Sequence, residues 1–322
     1  MKRWKKNVLI IFIIFVVVVV GGFGYVFYDL SKINTMKISK KDGDLGIKST
    51  ATTNVEQSND VTNIALFGLD RRAKTDSSRS DSMIVLSIDQ KHKKIKMSSL
   101  MRDFYVSVDG HGQTKLTHAY AYGGAQLAIK TINKNFNLNI RDYVAVDFYD
   151  LENLINAIGG VTINVQQDEV PLINSYMQET GGIEKEAITK ITTTGKQNLN
   201  GLQAVAYSRI RYTAGDDFKR TERQRTVLTA MITKLQSVGA TQFPSVVNKL
   251  LPYTETSMNS VNLIKLGTKV IATGTTTLEQ ERFPVDGYWS SQMINKVYYL
   301  VGNIKATTDQ LHKFIYDDVK PK

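Results

Sequence analysis

The stretch Asn63-Ile64-Ala65-Leu66-Phe67-Gly68, running on into Leu69-Asp70-Arg71-Arg72, sets the architecture of this 322-residue chain. Six apolar or small residues ended by glycine read as a buried strand, with an acid and two arginines where it leaves the sheet. Ser82–Ile88 and Lys94–Ser98 have the same character, and Asp89–Lys93 is the turn between them. Phe104–Val108 alternates and closes on Asp109-Gly110-His111-Gly112, while Gly124–Asn135 has helical spacing. Tyr143–Phe148 reads as a strand, Leu151–Ile158 as a helix ended by Gly159-Gly160, and Val161–Val165 as another strand. Gln178–Lys196 is polar and glycine-containing and reads as an exposed excursion. Asn200 caps a helix running to Arg209, and Phe218–Ser237 is a long amphipathic helix. Further helices are predicted at Ser260–Thr273, Ser290–Val301 and Thr308–Asp317. Strands interleaved with helices predict an α/β fold, an α-β-α layered domain with a central mixed sheet flanked by helices. Neither an internal repeat nor a second-domain boundary is visible.

Ahead of this domain the composition changes sharply. Residues 1–6 carry Lys2, Arg3, Lys5 and Lys6, and no charged side chain occurs from Asn7 to Tyr28. Some 20 apolar helical residues span a hydrocarbon core. Residues 7–28 are therefore predicted as one N-terminal transmembrane helix, with residues 1–6 as a cytoplasmic basic tail by the positive-inside rule. Trp4, Tyr25 and Tyr28 suit the interfacial belts. A cleaved signal peptide is the rival, but the run is long and no A-x-A site follows it. Residues 29–61, rich in Ser, Thr, Lys, Asp and Gly, read as an extracytoplasmic linker, a solvated stalk. Residues 62–322 form the large domain outside the membrane.

The net charge is +11, and four of those charges precede the span. What remains suits anionic lipid, phosphate or a teichoic-type polymer better than nucleic acid, for which no recognition motif is present. With no cysteine, disulfides, thiolate metal sites and a cysteine nucleophile are excluded. A G-x-S-x-G elbow, an H-E-x-x-H helix and a Walker loop are absent as well.

Carboxylates and arginines are left to carry the chemistry. Arg209-Ile210-Arg211 precedes Asp216-Asp217-Phe218-Lys219-Arg220-Thr221-Glu222-Arg223-Gln224-Arg225. Arginine forks match phosphate oxygens two at a time, and a helix start adds free N–H groups. At 100° per residue, Arg220 and Gln224 share a stripe with Val227, Leu228, Met231 and Leu235. Arg223 flanks that stripe, and Glu222 and Arg225 point away from it. A guanidinium on a core stripe needs an anion or a carboxylate, so an ion-pair network with Asp216 or Asp217 is the alternative. Asp70 and Asp81 end one predicted strand and begin the next. The pair suits Mg²⁺ (or Mn²⁺), although each acid also suits a plain turn. Ser98-Ser99-Leu100-Met101-Arg102-Asp103 puts another arginine at a strand end, where sites on α/β sheets lie. Lys115-Leu116-Thr117-His118-Ala119-Tyr120-Ala121-Tyr122-Gly123-Gly124 adds a cation, a histidine and tyrosines, with His118 read more readily as structural than catalytic.

In order, G-x-D-x-R, R-x-D-S, S-x-x-R-D, K-x-x-H-A-Y-A-Y-G-G, R-x-R and D-x-x-R-x-x-R-Q behind a single anchor resemble the LytR–CpsA–Psr family, from about Asn63 to Ser237. Met101 departs from the proline common at that position. The resemblance implies a membrane-anchored phosphotransferase of Gram-positive cell-wall biogenesis. Such an enzyme moves a glycopolymer (teichoic acid, capsule or another) from polyprenyl pyrophosphate to the C6 hydroxyl of N-acetylmuramic acid in peptidoglycan. By motif, Asp70 and Asp81 would hold Mg²⁺ and act in catalysis with Arg102. Arg102, Arg209, Arg211, Arg220 and Gln224 would bind the pyrophosphate, with Arg223 and Lys115 added and Arg71 and Asp103 as neighbours. The family fold carries an apolar cavity for the prenyl chain. A wall-polymer binding protein and a polyprenyl-pyrophosphate hydrolase are the competing readings.

Overall fold

The structure, a computed structural model, describes residues 35–48, 60–71, 78–184, 188–211, 216–238, 242–272 and 277–321. In chain order come β1 (Val61–Asp70), β2 (Arg79–Asp89), β3 (Lys94–Leu100), β4 (Tyr105–Val108), β5 (Gly112–Lys115) and α1 (His118–Phe136). They are followed by β6 (Asp142–Asp147), α2 (Phe148–Ala157), β7 (Val161–Val165), α3 (Glu169–Glu184), β8 (Gly195–Leu199), α4 (Gly201–Arg209) and α5 (Asp216–Ser237). The last part holds α6 (Phe243–Leu250), β9 (Glu255–Thr256), α7 (Ser260–Ala272), β10 (Thr277–Phe283), β11 (Trp289–Ile294), β12 (Val297–Gly302) and α8 (Ile304–Tyr316).

Six strands form one mixed sheet in the order β10-β3-β2-β1-β6-β9. The β1–β2, β2–β3 and β6–β9 pairs are antiparallel, whereas β1–β6 and β3–β10 are parallel. Strand alternation then builds the layers. On one face Ala65, Phe67 and Leu69 join Met83 and Val85 against Ile129, Ile132 and Phe136 of α1 and Leu311 and Phe314 of α8. On the other face Ile64 and Ile88 pack with Met258 and α7, and a third cluster gathers α2, α3, α4, α5 and the β7–β8 hairpin. Full burial of each such side chain contributes about 1.5–3 kcal/mol. The α-β-α layering with a central mixed sheet is thus present.

The predicted cytoplasmic tail and span, residues 1–28, lie outside the described residues. Among the described residues no helix is long and apolar enough to cross a membrane. Part of the expected stalk is folded onto the domain. Met36 N–H donates to Thr256 O at 3.0 Å, and Ser39 N–H to Gln126 Oε1 at 2.7 Å. Lys40 pairs with Asp142, Arg141 with Asp42 at 2.6 Å, and Leu45 is fully buried in the main core. Composition misled here because one leucine in a polar run carries no periodicity.

Two further expectations need correction. The excursion expected at Gln178–Lys196 is mostly exposed among its described residues, but its first part, Gln178–Glu184, continues α3, and Ile191 is buried, with Asn174 clasping its N and O at 2.9 and 2.8 Å. The helix expected at Ser290–Val301 is the β11–β12 hairpin, turning at Asn295-Lys296 with φ of 51° and 64°. Those two left-handed residues make the two-residue hairpin turn. Met293, Val297 and Leu300 fall at helical spacing by coincidence. Helix α8 also starts earlier than expected, at Ile304, because Asn303 accepts from Ala306 N at 2.9 Å.

Candidate active site

Strands β1 and β6 end at one rim of the sheet, and β2, running the other way, begins there. The pairing of β1 with β2 slips at this point, from Gly68↔Ser82 to Leu69↔Ser80, so Asp81 is the extra residue of a β-bulge. A bulge re-aims one side chain out of the regular alternation. Ser80 stays buried while the Asp81 carboxylate turns to the rim. Gly68 permits the slip, since a Cβ there would meet the Ser82 Cβ at 2.9 Å.

Asp81 is the hub of the arginine network. Arg102 Nη1 donates to its Oδ1 at 2.7 Å, and Arg211 Nη2 and Arg220 Nη1 approach its Oδ2 at 3.3 and 3.7 Å. Asp217, in the first turn of α5, takes Arg102 Nε at 3.2 Å and Arg220 Nη2 at 3.1 Å. Arg209 ends α4 and is wedged between the Phe148 and Tyr176 rings, 5.2 and 5.5 Å from their centroids, with Glu179 at 3.3 Å. Burial disfavours the Arg102 charge, but the carboxylates of Asp81, Asp217 and Asp103 outweigh it and raise the pKa. Arg220 goes the other way. Burial, then the charges of Arg102 and Arg211, overcome Asp217 and Asp81 and pull it down to about 10. Its side chain is 3% exposed, and its Nε has no hydrogen-bond partner. This guanidinium lacks sufficient negative charge.

Two cavities meet at the same place. A polar pocket of about 310 Å³ is lined by Asp70, Asp81, Tyr176, Arg209, Arg211 and Arg220. An apolar cavity of about 190 Å³ runs beneath the sheet face between Leu66, Ile84, Val146, Leu154, Val227 and Met231. Gln224, Ser208 and Phe148 line both. An apolar cavity of about 150 Å³ is large enough to take benzene, and this one is of that order.

Asp70, Asp81, Arg209, Arg211, Arg220 and Gln224 are therefore brought together, and Arg102 supports them from behind Asp81. Of the sequence-predicted pyrophosphate ligands, Arg102 therefore does not line the pocket itself, and two others lie elsewhere. Arg223 is buried on another side of α5, with Nε 2.8 Å from Glu169 and Nη1 3.4 Å from Ile210 O. Lys115 lies beyond Asp103, which it meets at 2.6 Å, below the Tyr298 and Tyr299 rings. Arg71 leaves the rim for Asp147 at 3.1 Å and Glu255 at 3.5 Å, where Asp147 also caps α2. Arg225 was expected to point away from the core but is buried against Gln280 of β10, a strand that covers that side of α5. Arg72 lies outside the described residues. Sequence reasoning missed Phe148 of α2 and Tyr176 and Glu179 of α3, which meet Arg209 only through the packing of these two helices.

Asp70 and Asp81, which both line the polar pocket, are oxygen donors of the kind a hard divalent cation takes. Four guanidiniums (Arg102, Arg209, Arg211, Arg220) face four carboxylates (Asp70, Asp81, Asp217, Glu179), so the site is formally neutral. Asp70 is exposed at the pocket, and a carboxylate offers about four lone-pair sites, so Asp81 keeps capacity beside its guanidiniums.

Fold and site together define a layered α/β domain in which an apolar cavity adjoins an arginine-lined polar pocket. The LytR_cpsA_psr family model matches residues 26–314. The chain belongs to that family. It is 32% identical over 246 residues, 74% of this chain and 73% of the other, to the Bacillus subtilis polyisoprenyl-teichoic acid–peptidoglycan teichoic acid transferase TagT. Identity to the Enterococcus faecalis transferase TagU of the same description is 33% over 247 residues, 74% of this chain and 75% of that one. The solved structure of TagT bound to LI-WTA superposes with a TM-score of 0.67 at 25% identity, covering 87% of this chain and 98% of that one.

Proposed function

We propose that this chain transfers a glycopolymer from a polyprenyl pyrophosphate carrier to the C6 hydroxyl of N-acetylmuramic acid in peptidoglycan, releasing polyprenyl phosphate. The observation that carries the reading is the junction at Gln224, where an apolar slot turns into a guanidinium pocket within one side chain. A diphosphate on an isoprenoid tail changes polarity over the same distance. The names of the relatives TagT and TagU, and the LI-WTA bound to TagT, point to the same class of substrate.

In this reading Arg209, Arg211 and Arg220 hold the diphosphate oxygens, and Asp81 and Asp217 keep the forks in place. The acceptor hydroxyl oxygen bonds to the phosphorus bearing the sugar. The bond from that phosphorus to the bridging oxygen breaks, and its electron pair departs with polyprenyl phosphate. The hydroxyl proton passes to the Asp70–Asp81 pair and on to water. Mg²⁺ (or Mn²⁺), held by Asp70 and Asp81, would add positive charge beside the guanidiniums and help neutralise the diphosphate. Residues 7–28 would anchor the chain with the N-terminus cytoplasmic and the domain outside, where peptidoglycan lies.

The test is a reconstitution of the full chain in nanodiscs with a prenyl-pyrophosphate saccharide, peptidoglycan strands and Mg²⁺. Joined product that disappears with chelator is expected. Free phosphosaccharide without joined product would make the chain a hydrolase, and unchanged but bound substrate would make it a carrier protein; either overturns the proposal.

A further inference from the structure

The motif Lys115–Gly124 is not used by the diphosphate pocket, yet its side chains are displayed beside it. Helix α1 begins at His118 and breaks at Gly123 and Gly124, where Gly124 adopts φ 59°, ψ −156°. The break sets one turn, His118–Tyr122, at an angle to the remainder. Tyr122 is 48% exposed and stacks on His111 at 4.1 Å and 17° between planes, with the His118 ring at 5.7 Å. His118 is fixed through Nδ1 to Thr114 Oγ1 at 2.7 Å. From the adjoining Lys115 the surface continues to Tyr298 and Tyr299, whose ring centroids each lie 5.8 Å from Nζ, and Tyr105 meets Tyr299 edge-on at 4.8 Å. Tyr298 is 42% exposed, and its hydroxyl is 3.2 Å from Ser291 Oγ.

This aromatic wall is joined to the candidate site. Leu300 N–H on the hairpin donates to Asp103 O at 2.9 Å, and Asp103 bridges Lys115 at 2.6 Å and Arg102 Nε at 3.6 Å. It also lies on a particular side of Asp81. Oδ2 of Asp81 faces Arg211 and Arg220 in the polar pocket, while Oδ1 faces Arg102, which leads to Asp103, Lys115 and the tyrosines. The apolar slot and its carrier lie on the first side. Displacement at phosphorus places the attacking and leaving oxygens roughly in line, so the attacking hydroxyl enters from the second side.

We propose that Tyr122, His111, Tyr298 and Tyr299 form the platform for the acceptor, a peptidoglycan glycan strand whose pyranose rings lie on these aromatic faces. Ring faces are electron-rich and attract the polarised C–H face of a sugar, while the phenol, imidazole and hydroxyl groups around them serve sugar hydroxyls. Polar groups lie among the rings (the Ser291 hydroxyl, Lys115 and the two imidazoles), while Met293, opposite Tyr298 in the hairpin, is exposed as well, so vesicle binding is the alternative outcome that the experiment includes. The proposal rests on the transfer reading for the identity of its ligand, so binding is measured separately from turnover.

The experiment compares the full chain with Tyr122→Ala, Tyr298→Ala and Tyr298→Trp. Two readouts are taken: equilibrium binding to peptidoglycan glycan strands without donor, and the KM for acceptor and for donor during turnover. One lost stacking contact is worth about 0.5–1.5 kcal/mol, so each alanine should weaken glycan binding and raise acceptor KM by up to about ten-fold. Donor KM should stay unchanged, and Tyr298→Trp should restore binding. Both exposed tyrosines can be removed without emptying the core. Unchanged glycan binding in both alanine variants, or a parallel rise in donor KM, overturns the platform. If no variant, the unaltered chain included, makes joined product yet the alanines still weaken glycan binding, the transfer reading fails and the platform stands. Vesicle binding lost in Tyr298→Ala with glycan binding retained would make the surface a membrane contact and overturn the proposal.

Discussion

Replacing Arg220 by methionine should stabilise the ligand-free protein while abolishing anion binding. The guanidinium is 3% exposed, and its pKa falls from 12.5 to about 10 with burial as the first cause. At about 1.36 kcal/mol per unit, that displacement corresponds to roughly 3 kcal/mol of unfavourable interaction carried by the charged form in the empty pocket. The figure already includes the attraction of Asp217 and Asp81. Methionine keeps most of the stem in the same packing and removes the charge, while Asp217 retains Arg102 at 3.2 Å. At roughly 2–4 °C per kcal/mol for a domain of this size, the melting temperature should rise by several degrees, with a ceiling near about 10 °C. The assay is scanning calorimetry at neutral pH, repeated with inorganic pyrophosphate and Mg²⁺. The parent should gain stability with the anion and the variant should not. A drop of about 3–5 kcal/mol, the cost of breaking a buried ion pair, would refute the reasoning and make Arg220 a structural counter-ion.

Other perturbations separate the remaining parts of the site. Asp81→Asn removes the shared partner of Arg102, Arg211 and Arg220, and turnover should fall by about 100- to 1,000-fold with circular dichroism unchanged. Gly68→Val would drive a Cβ toward the Ser82 Cβ, 2.9 Å away, at the slip that aims Asp81; loss of stability in urea and of turnover together is expected, and a variant as active as the parent would sink the bulge argument. Leu45→Ala should cost about 2–5 kcal/mol in urea titration if residues 35–48 belong to the domain, and close to nothing if they were a stalk. Stability should also fall as pH drops below 6.5. Burial lowers the His312 pKa in the fold, so the unfolded chain takes up the proton first and is lowered in free energy relative to the native state. His312→Gln should flatten that slope, measured as urea midpoint against pH.

Much of the architecture was legible because its signals are local. Asn63–Gly68 holds four apolar residues in a row, Val161–Val165 alternates buried Val and Ile with exposed Thr and Asn, and Asn200 with Gln203 forms a capping box that needs only four residues. The tail was misread for a physical reason. In β11 and β12 the apolar residues repeat at intervals that suit a helix, and the deciding feature is the left-handed pair Asn295-Lys296, which is neither Gly nor the usual Asn-Gly. Residues 35–48 carry one buried side chain, so no periodicity could reveal that they pack. The slip that exposes Asp81 was equally hidden, because sequence shows two acids near strand ends and nothing of the register between the strands.

The arginines of α5 show where reasoning from one stripe stops. A helix with one buried face predicts Arg220 inward, Arg223 at the flank and Arg225 outward. All three are buried, because α5 is packed by α4 and β7 on one side and by β3 and β10 on another. Buried guanidiniums persist only with partners, and each of these has a different solution. Arg223 is answered by the Glu169 carboxylate at 2.8 Å. Arg225 bonds Gln280 and is drawn by Glu281, although burial still lowers its pKa. Arg220 shares Asp81 and Asp217 with Arg102, and of the three it is the one that lines the polar pocket. A charge left short of partners is costly in a core, but at the wall of a cavity it becomes binding energy held for an incoming anion. Arg223 borders a cavity too, of about 390 Å³, but Glu169 answers it there; what marks Arg220 as the diphosphate ligand is that it faces open volume while sharing its carboxylates with Arg102, a property of the packed layers that no spacing along one helix encodes.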